Sequence, residues 1–245
     1  MLRMILDQTK VKFVFGSFPV ASSASRRVNW EHLPLRRVPA QARSRDKVIR
    51  ALRAADQIVA ADGPSAVSLS SVAERAGLSV GALYQYLPDR EAILAALVWR
   101  YHDRFESLLD EVVADARAHP PASDPIDYVI DAVAEIYREE ESARSLRASA
   151  DLPALDAQRA AHRERMAAKL VALLEASGVT SVAEPASPVI AEAAFTAADA
   201  VLHEAFAVEE PRRAALIDEL RRMMRGYLTQ FRPEQADPPS AHPGR

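Results

Sequence analysis

The side chains with the most chemistry to offer lie between Ser68 and Leu87, in the string SLSSVAERAGLSVGALYQYL. Ser68, Ser70 and Ser71 can each cap a helix start, because a hydroxyl accepts from backbone N–H groups that the first turn leaves unpaired. Val72, Ala73 and Ala76 make one apolar face of that helix, and Ala76-Gly77 ends it, since glycine takes the left-handed conformation of a sharp exit. Ser79 caps a second short helix. Its inner face is Leu83 and Leu87; its outer face offers Val80, Gly81, Tyr84 and Gln85. Two helices joined by a short glycine-containing turn form a helix-turn-helix, whose second helix enters a DNA major groove. There Gln85 has the amide to bond adenine bidentately, Val80 the methyls to touch thymine, and Gly81 the bare backbone for close approach.

The stretch Val72 to Leu97, VAERAGLSVGALYQYLPDREAILAAL, closely resembles the DNA-binding domain of the TetR family of bacterial transcriptional regulators. The resemblance rests on Ala76, Gly77, Ser79, Gly81, Leu83, Tyr84, Leu87, Arg90 and Glu91. Leu87 stands where the family usually has an aromatic residue, and Arg90 where it usually has lysine. The resemblance implies that Ser70, Ser79, Tyr84 and Arg90 grip phosphates, contacts that position a reading helix without specifying sequence. Two readings stay open for Tyr84 and Tyr86, which either contact DNA or complete a small core. Arg43, Arg45 and Lys47 likewise either add contacts or form a solvated helix end.

The elements that must position these groups are helices. Alanine dominates a composition that is 49% hydrophobic, with only 7 glycines in 245 residues, which suits packed helices, and no run alternates as a strand would. An all-α fold follows: an N-terminal three-helix helix-turn-helix domain over 44–104, joined by a long helix to a C-terminal helical domain over 105–232. The first helix is predicted from Ser44 to Ala61, with Val48, Leu52, Ala55, Ile58 and Val59 as one buried stripe. Asp89 caps the long helix that begins after Pro88 and continues to Val112. Further helices are predicted over 126–140, 142–149, 155–177, 189–208 and 212–231. Residues 1–40, with Arg26-Arg27 and Arg36-Arg37, read as a disordered basic extension, or as sequence ahead of a start at Val38. Residues 233–245 read as a disordered tail.

Charge divides the chain. Residues 1–104 carry 16 Lys+Arg against 9 Asp+Glu, and residues 105–245 carry 15 against 25, so double-stranded DNA suits the first part alone as partner. With no cysteine there is no disulfide, thiolate metal site or thiol nucleophile, in keeping with a reducing cytoplasm. Met1 to Val20 imitates an export signal only loosely, because Lys12 interrupts its apolar run. No apolar run reaches the ~18–20 residues that span a bilayer, so no membrane is expected. The lack of a phosphate-binding loop or nucleophile elbow argues against an enzyme.

The C-terminal part resembles the family's regulatory domain without a diagnostic motif. The resemblance implies a homodimer formed by the last two long helices and a pocket for a small molecule. The dimer faces are expected on Ala191, Ala194, Phe195, Ala198, Val201, Leu202 and Ala205, and on Leu216, Leu220, Met223, Met224, Tyr227 and Leu228, the alternative being that both faces are buried within one subunit. Candidates for the pocket are Trp99, His102, Phe105, Tyr128, Tyr137, Met166 and Phe195, whose aromatic and thioether groups suit an apolar or aromatic effector. No cofactor or metal is implied. The expected function is a ligand-released repressor that binds a pseudo-palindromic operator; the alternatives are a DNA-binding dimer without an effector, and an activator.

Overall fold

A computed structural model describes Trp30 and residues 33–118, 125–139, 141–148, 155–176 and 187–231. The expectations for residues 1–29, 31, 32 and 233–245 lie outside the described residues. Nine α-helices and no strand are present among the described residues. They are α1 (Ala42–Asp62), α2 (Leu69–Ala76), α3 (Val80–Tyr84), α4 (Arg90–Ala118), α5 (Pro125–Glu139), α6 (Glu141–Ala148), α7 (Asp156–Ala176), α8 (Ser187–Phe206) and α9 (Arg212–Thr229).

The first three helices close around one apolar cluster. α1 buries Val48, Ala51, Leu52, Ala54, Ala55, Ile58 and Val59, the predicted stripe widened by alanines. Gly63 ends it at φ 79 and leads into a short 3-10 turn, Pro64–Ala66. Val72, Ala73 and Ala76 of α2 pack on that stripe together with Leu83 and Leu87. The long helix α4 spans 29 residues, about 44 Å at the usual rise. Its first half (Ile93, Leu94, Leu97, Tyr101) completes the N-terminal cluster, which also takes in Leu146 of α6 and Leu155. Its second half (Leu108, Val112, Val113) packs with α5 and α7. One rigid element therefore enters both parts of the molecule.

Two expectations change. Residues 33–40, read from sequence as part of a disordered extension, lie against the helix-turn-helix, with Leu33 buried in its core and Pro39 also buried. The faces assigned to a dimer also divide. Ala191, Ala194, Leu202 and Ala205 of α8 and Leu220, Met224 and Leu228 of α9 are buried within the single chain, since each helix turns one apolar stripe toward its neighbours. Val189 and Met223 remain 67% and 44% exposed, and Ala193, Ala200 and Gly226 are exposed with them.

Candidate nucleic-acid interface and effector cavity

The helix-turn-helix is built from reciprocal caps. The Ser68 hydroxyl accepts from the Ser71 backbone N–H at 3.0 Å, and the Ser71 hydroxyl accepts from the Ser68 N–H at 3.0 Å, closing a capping box. At the other end Gly77 adopts φ 63, and the Leu78 N–H reaches Ala73 O at 2.9 Å. The guanidinium of Arg50, from α1, donates to Ala76 O at 2.6 Å and Gly77 O at 3.0 Å, covering carbonyls that a helix end leaves orphaned. Arg50 was not singled out from sequence, because its partners lie 26 and 27 residues on. Ser79 then caps α3 by accepting from Ala82 N–H at 3.2 Å, and the Asp89 carboxylate accepts from Ala92 N–H at 2.7 Å to start α4.

These caps fix which side of α3 faces out. Leu83 and Leu87 are buried. Ser70, Ser79, Val80, Gly81, Tyr84 and Gln85 are exposed, Val80 at 45% and Tyr84 at 49%. A Cβ added at Gly81 would meet no protein atom within 4 Å, so packing does not demand glycine there. Arg90 is partly buried and donates to Pro64 O at 3.1 Å, which ties α4 to the turn after α1. Tyr86 is buried and belongs to the core. Arg45 donates to Pro39 O at 3.1 Å and is engaged with the preceding segment.

A cavity of about 500 Å³ opens between α4, α5, α7, α8 and α9, a size typical of small-molecule sites. His102, Phe105, Tyr137, Met166 and Phe195 line it, with apolar walls from residues such as Val98, Leu109, Ile130 and Leu173. Two of the sequence candidates lie elsewhere. Trp99 packs against the N-terminal core beside a polar recess with Asp103, Glu106 and Arg165. Tyr128 packs with the α4–α5–α7 cluster, where burial and the nearby Asp115 and Glu111 push its hydroxyl pKa up. Tyr101, Arg159, His162 and Asp199 line the cavity without having been singled out.

The cavity-lining His162 is held from behind by charged groups of the neighbouring recess. The Glu106 carboxylate accepts from His162 Nδ1 at 2.7 Å and from Arg165 Nε and a terminal nitrogen at 2.8 and 2.9 Å. Burial would push the Glu106 pKa up, but the bonds from His162 and Arg165 outweigh it and hold it at about 2. The acid is thus ionised at neutral pH, and the His162 Nδ1 must donate. The His102 ring stacks on His162 at 3.8 Å, and Phe195 meets His162 edge-on at 5.8 Å. Burial first, then the His162 charge, lowers the His102 pKa to about 3. Its buried Nδ1 has no partner among the described residues. Tyr137 donates to Asp199 at 2.9 Å across the cavity wall. No group of three or more His, Asp or Glu among the described residues could hold a metal ion.

A second polar node links the cavity to α1. Asp56 accepts from Arg100 at 3.0 Å and from the hydroxyls of Tyr101 and Ser142, which lie 2.5 Å apart. Tyr101 lines the cavity, so one side chain touches both the hollow and α1, the first helix of the N-terminal domain. Burial and the Asp56 charge keep its phenol protonated, as a donor.

Residues 51–97 match the family of bacterial regulatory proteins described as tetR family, and residues 120–232 match the tetracyclin repressor-like C-terminal domain. The fold is shared with a TetR-family transcriptional regulator from Mesorhizobium loti, at 18% identity and a TM-score of 0.65, covering 79% of this chain and 100% of that one. GusR of Salmonella enterica aligns over 77% of this chain and 98% of its own, at 21% identity and a TM-score of 0.56. SmeT, solved in complex with triclosan, aligns over 81% and 98% at 21% identity and a TM-score of 0.57. No curated protein is similar enough in sequence to count as a relative. Among the described residues no helix is long and apolar enough to cross a membrane.

Proposed function

We propose a ligand-released repressor, on the premise that the chain belongs to the TetR family of bacterial regulators and is a DNA-binding regulator, not an enzyme. It binds a pseudo-palindromic operator as a homodimer in the cytoplasm, with two recognition helices in successive major grooves about 34 Å apart. The observation that carries this reading is the exposed row Ser79, Val80, Gly81, Tyr84 and Gln85, held outward by the burial of Leu83 and Leu87. Val80 and Gln85 read base edges, Gly81 admits the backbone, and Ser70, Ser79, Tyr84 and Arg90 hold phosphates. Residues 44–104 serve as the DNA-binding part and 105–232 as the regulatory part. The dimer uses the exposed side of α8 and α9, around Val189, Ala193, Ala200, Met223 and Gly226.

The cavity supports the effector half of the reading. SmeT holds a small molecule, triclosan; here the hollow suits an apolar or aromatic body with a polar group directed at the unpartnered His102 nitrogen. Tyr101 supplies the coupling, because a ligand that displaces its hydroxyl also disturbs Asp56 on α1. To move the dimer from mostly bound to mostly free, the effector must prefer the released state by about 5 kcal/mol. The test is binding of the purified protein to the promoter fragment beside its own gene, titrated with salt and then with a panel of apolar aromatic compounds. Tight, selective, salt-sensitive binding relieved by one compound is expected. Binding that is weak and equal on every duplex would sink the operator reading.

A further inference from the structure

The segment ahead of α1 lies against the DNA-reading end of the molecule. Leu33 is 4% exposed and shares the core with Leu83 and Leu87, and Leu35 packs partly on the same cluster. The Arg36 backbone N–H donates to Tyr86 O at 2.9 Å, just past the end of α3. On the far side Arg45 Nε donates to Pro39 O at 3.1 Å, and its guanidinium stands 5.7 Å from the Trp30 ring centre. The chain is therefore anchored both before and after Arg36, by burial and by hydrogen bonds to the turn after α3 and to α1. The consequence is the placement of one side chain: the Arg36 guanidinium stands 5.1 Å over the ring of Tyr84, the half-exposed last residue of α3.

A guanidinium over an aromatic face gains cation–π attraction and keeps the N–H donors whose fork matches phosphate oxygens. Arg36 and its neighbour Arg37 are exposed, and among the described residues neither charge is neutralised by a carboxylate.

We propose that Arg36, carried by the docked segment 33–40, is a phosphate-gripping group beside Tyr84, so that the DNA interface extends to chain ahead of α1. Arg37 adds positive charge at the same place. The anion is the backbone phosphate of duplex DNA, and the inference rests on the DNA-binding reading above. The Tyr84 hydroxyl and the stacked Arg36 then act as one two-headed grip, in which the ring fixes the cation and the cation limits the ring's swing.

The experiment uses the full chain, with fluorescence anisotropy on a labelled duplex of the promoter fragment beside its own gene, repeated across salt. Arg36→Ala is expected to weaken binding about tenfold and to reduce the log–log salt slope by about 0.9, one phosphate's worth, with little change in melting temperature. Arg36→Lys should keep the slope and lose part of the affinity. Leu33→Ala should undock the segment and lose the same slope increment, and adding Arg36→Ala to it should then change nothing more. Arg36→Ala with wild-type affinity and slope, alongside a Gln85→Ala protein that binds worse, would overturn this proposal alone. A wild-type chain that binds no duplex would overturn it together with the reading beneath it.

Discussion

Replacing His102 by Phe should make the protein less sensitive to acid. In the folded chain the His102 pKa is lowered to about 3 by burial and by His162, whereas an unfolded His titrates near ~6.5. The sign follows from proton counting. Between those two values the unfolded chain binds a proton that the folded chain refuses, so acidification favours unfolding. The stability tied to a neutral His102 is fully present above pH ~6.5 and is lost as pH falls toward about 3. The whole window corresponds to at most about 5 kcal/mol, a large share of the roughly 5–15 kcal/mol that holds a domain folded. Glu106, held at about 2, loses stability in the same direction but only below its unfolded value of 4.5. Urea unfolding between pH 7 and 5 therefore isolates the histidine. There the wild-type stability should fall by up to about 2 kcal/mol more than that of His102→Phe, which keeps a ring to stack on His162 and removes the titrating nitrogens. Phe also removes the buried, unpartnered Nδ1, so the variant should be no less stable at pH 7. Equal pH slopes for the two proteins would refute the claim that His102 is held neutral by its site.

Gly81→Ala meets no protein atom and replaces glycine in a helix, so it should raise the melting temperature by about 1–2 °C while weakening operator binding by more than tenfold. Unchanged binding would show that the backbone at Gly81 does not approach DNA. Tyr84→Phe should weaken binding with unchanged melting, whereas Leu83→Ala should cost about 2–5 kcal/mol of stability; chemical denaturation and anisotropy separate the two. Asp56→Asn leaves Arg100 without its charge partner and weakens the bonds to Tyr101 and Ser142, a loss of about 1–3 kcal/mol that should also change how far a ligand shifts operator affinity. A ligand response identical to wild type would remove Asp56 from the coupling.

Much of the fold was legible because its determinants are local. The serines that start α2 and α3, the glycine at φ 63 between them and the Asp89 cap all act within four residues. The other predicted helix ends fall within two residues of those found, apart from α3, which stops at Tyr84 although Leu87 was expected on its inner face, and the long helix. That helix runs on to Ala118, past the last strong apolar position at Val113, because an exposed final turn needs no apolar stripe. The short turn Pro64–Ala66 was missed, since three residues carry no periodicity to detect. Residues 33–40 looked disordered for a related reason. Two prolines, an Arg pair and no helical spacing give no local signal, yet Leu33 finds a hydrophobic slot made by residues some fifty positions later.

The cavity shows where local reading stops. Phe105 and Met166 attract notice by type, but a Phe in a core and a Phe in a hollow have the same spacing; only the packing of α5 and α8 around them decides which it is. That is why Tyr137 lines the cavity while Tyr128, on the same helix, does not. The polar groups are harder still. His162 matters because Glu106, 56 residues earlier, fixes its proton, and Tyr101 because Asp56 and Ser142, 45 and 41 residues away, converge on its hydroxyl. Such partnerships are made by the crossing of α1, α4, α6 and α7, so no window along the chain contains them. The outward face proposed to read DNA lies on α3 and the residues flanking it, and can be read from its own letters. The groups that would sense an effector belong to several helices at once, and become a site only when those helices meet.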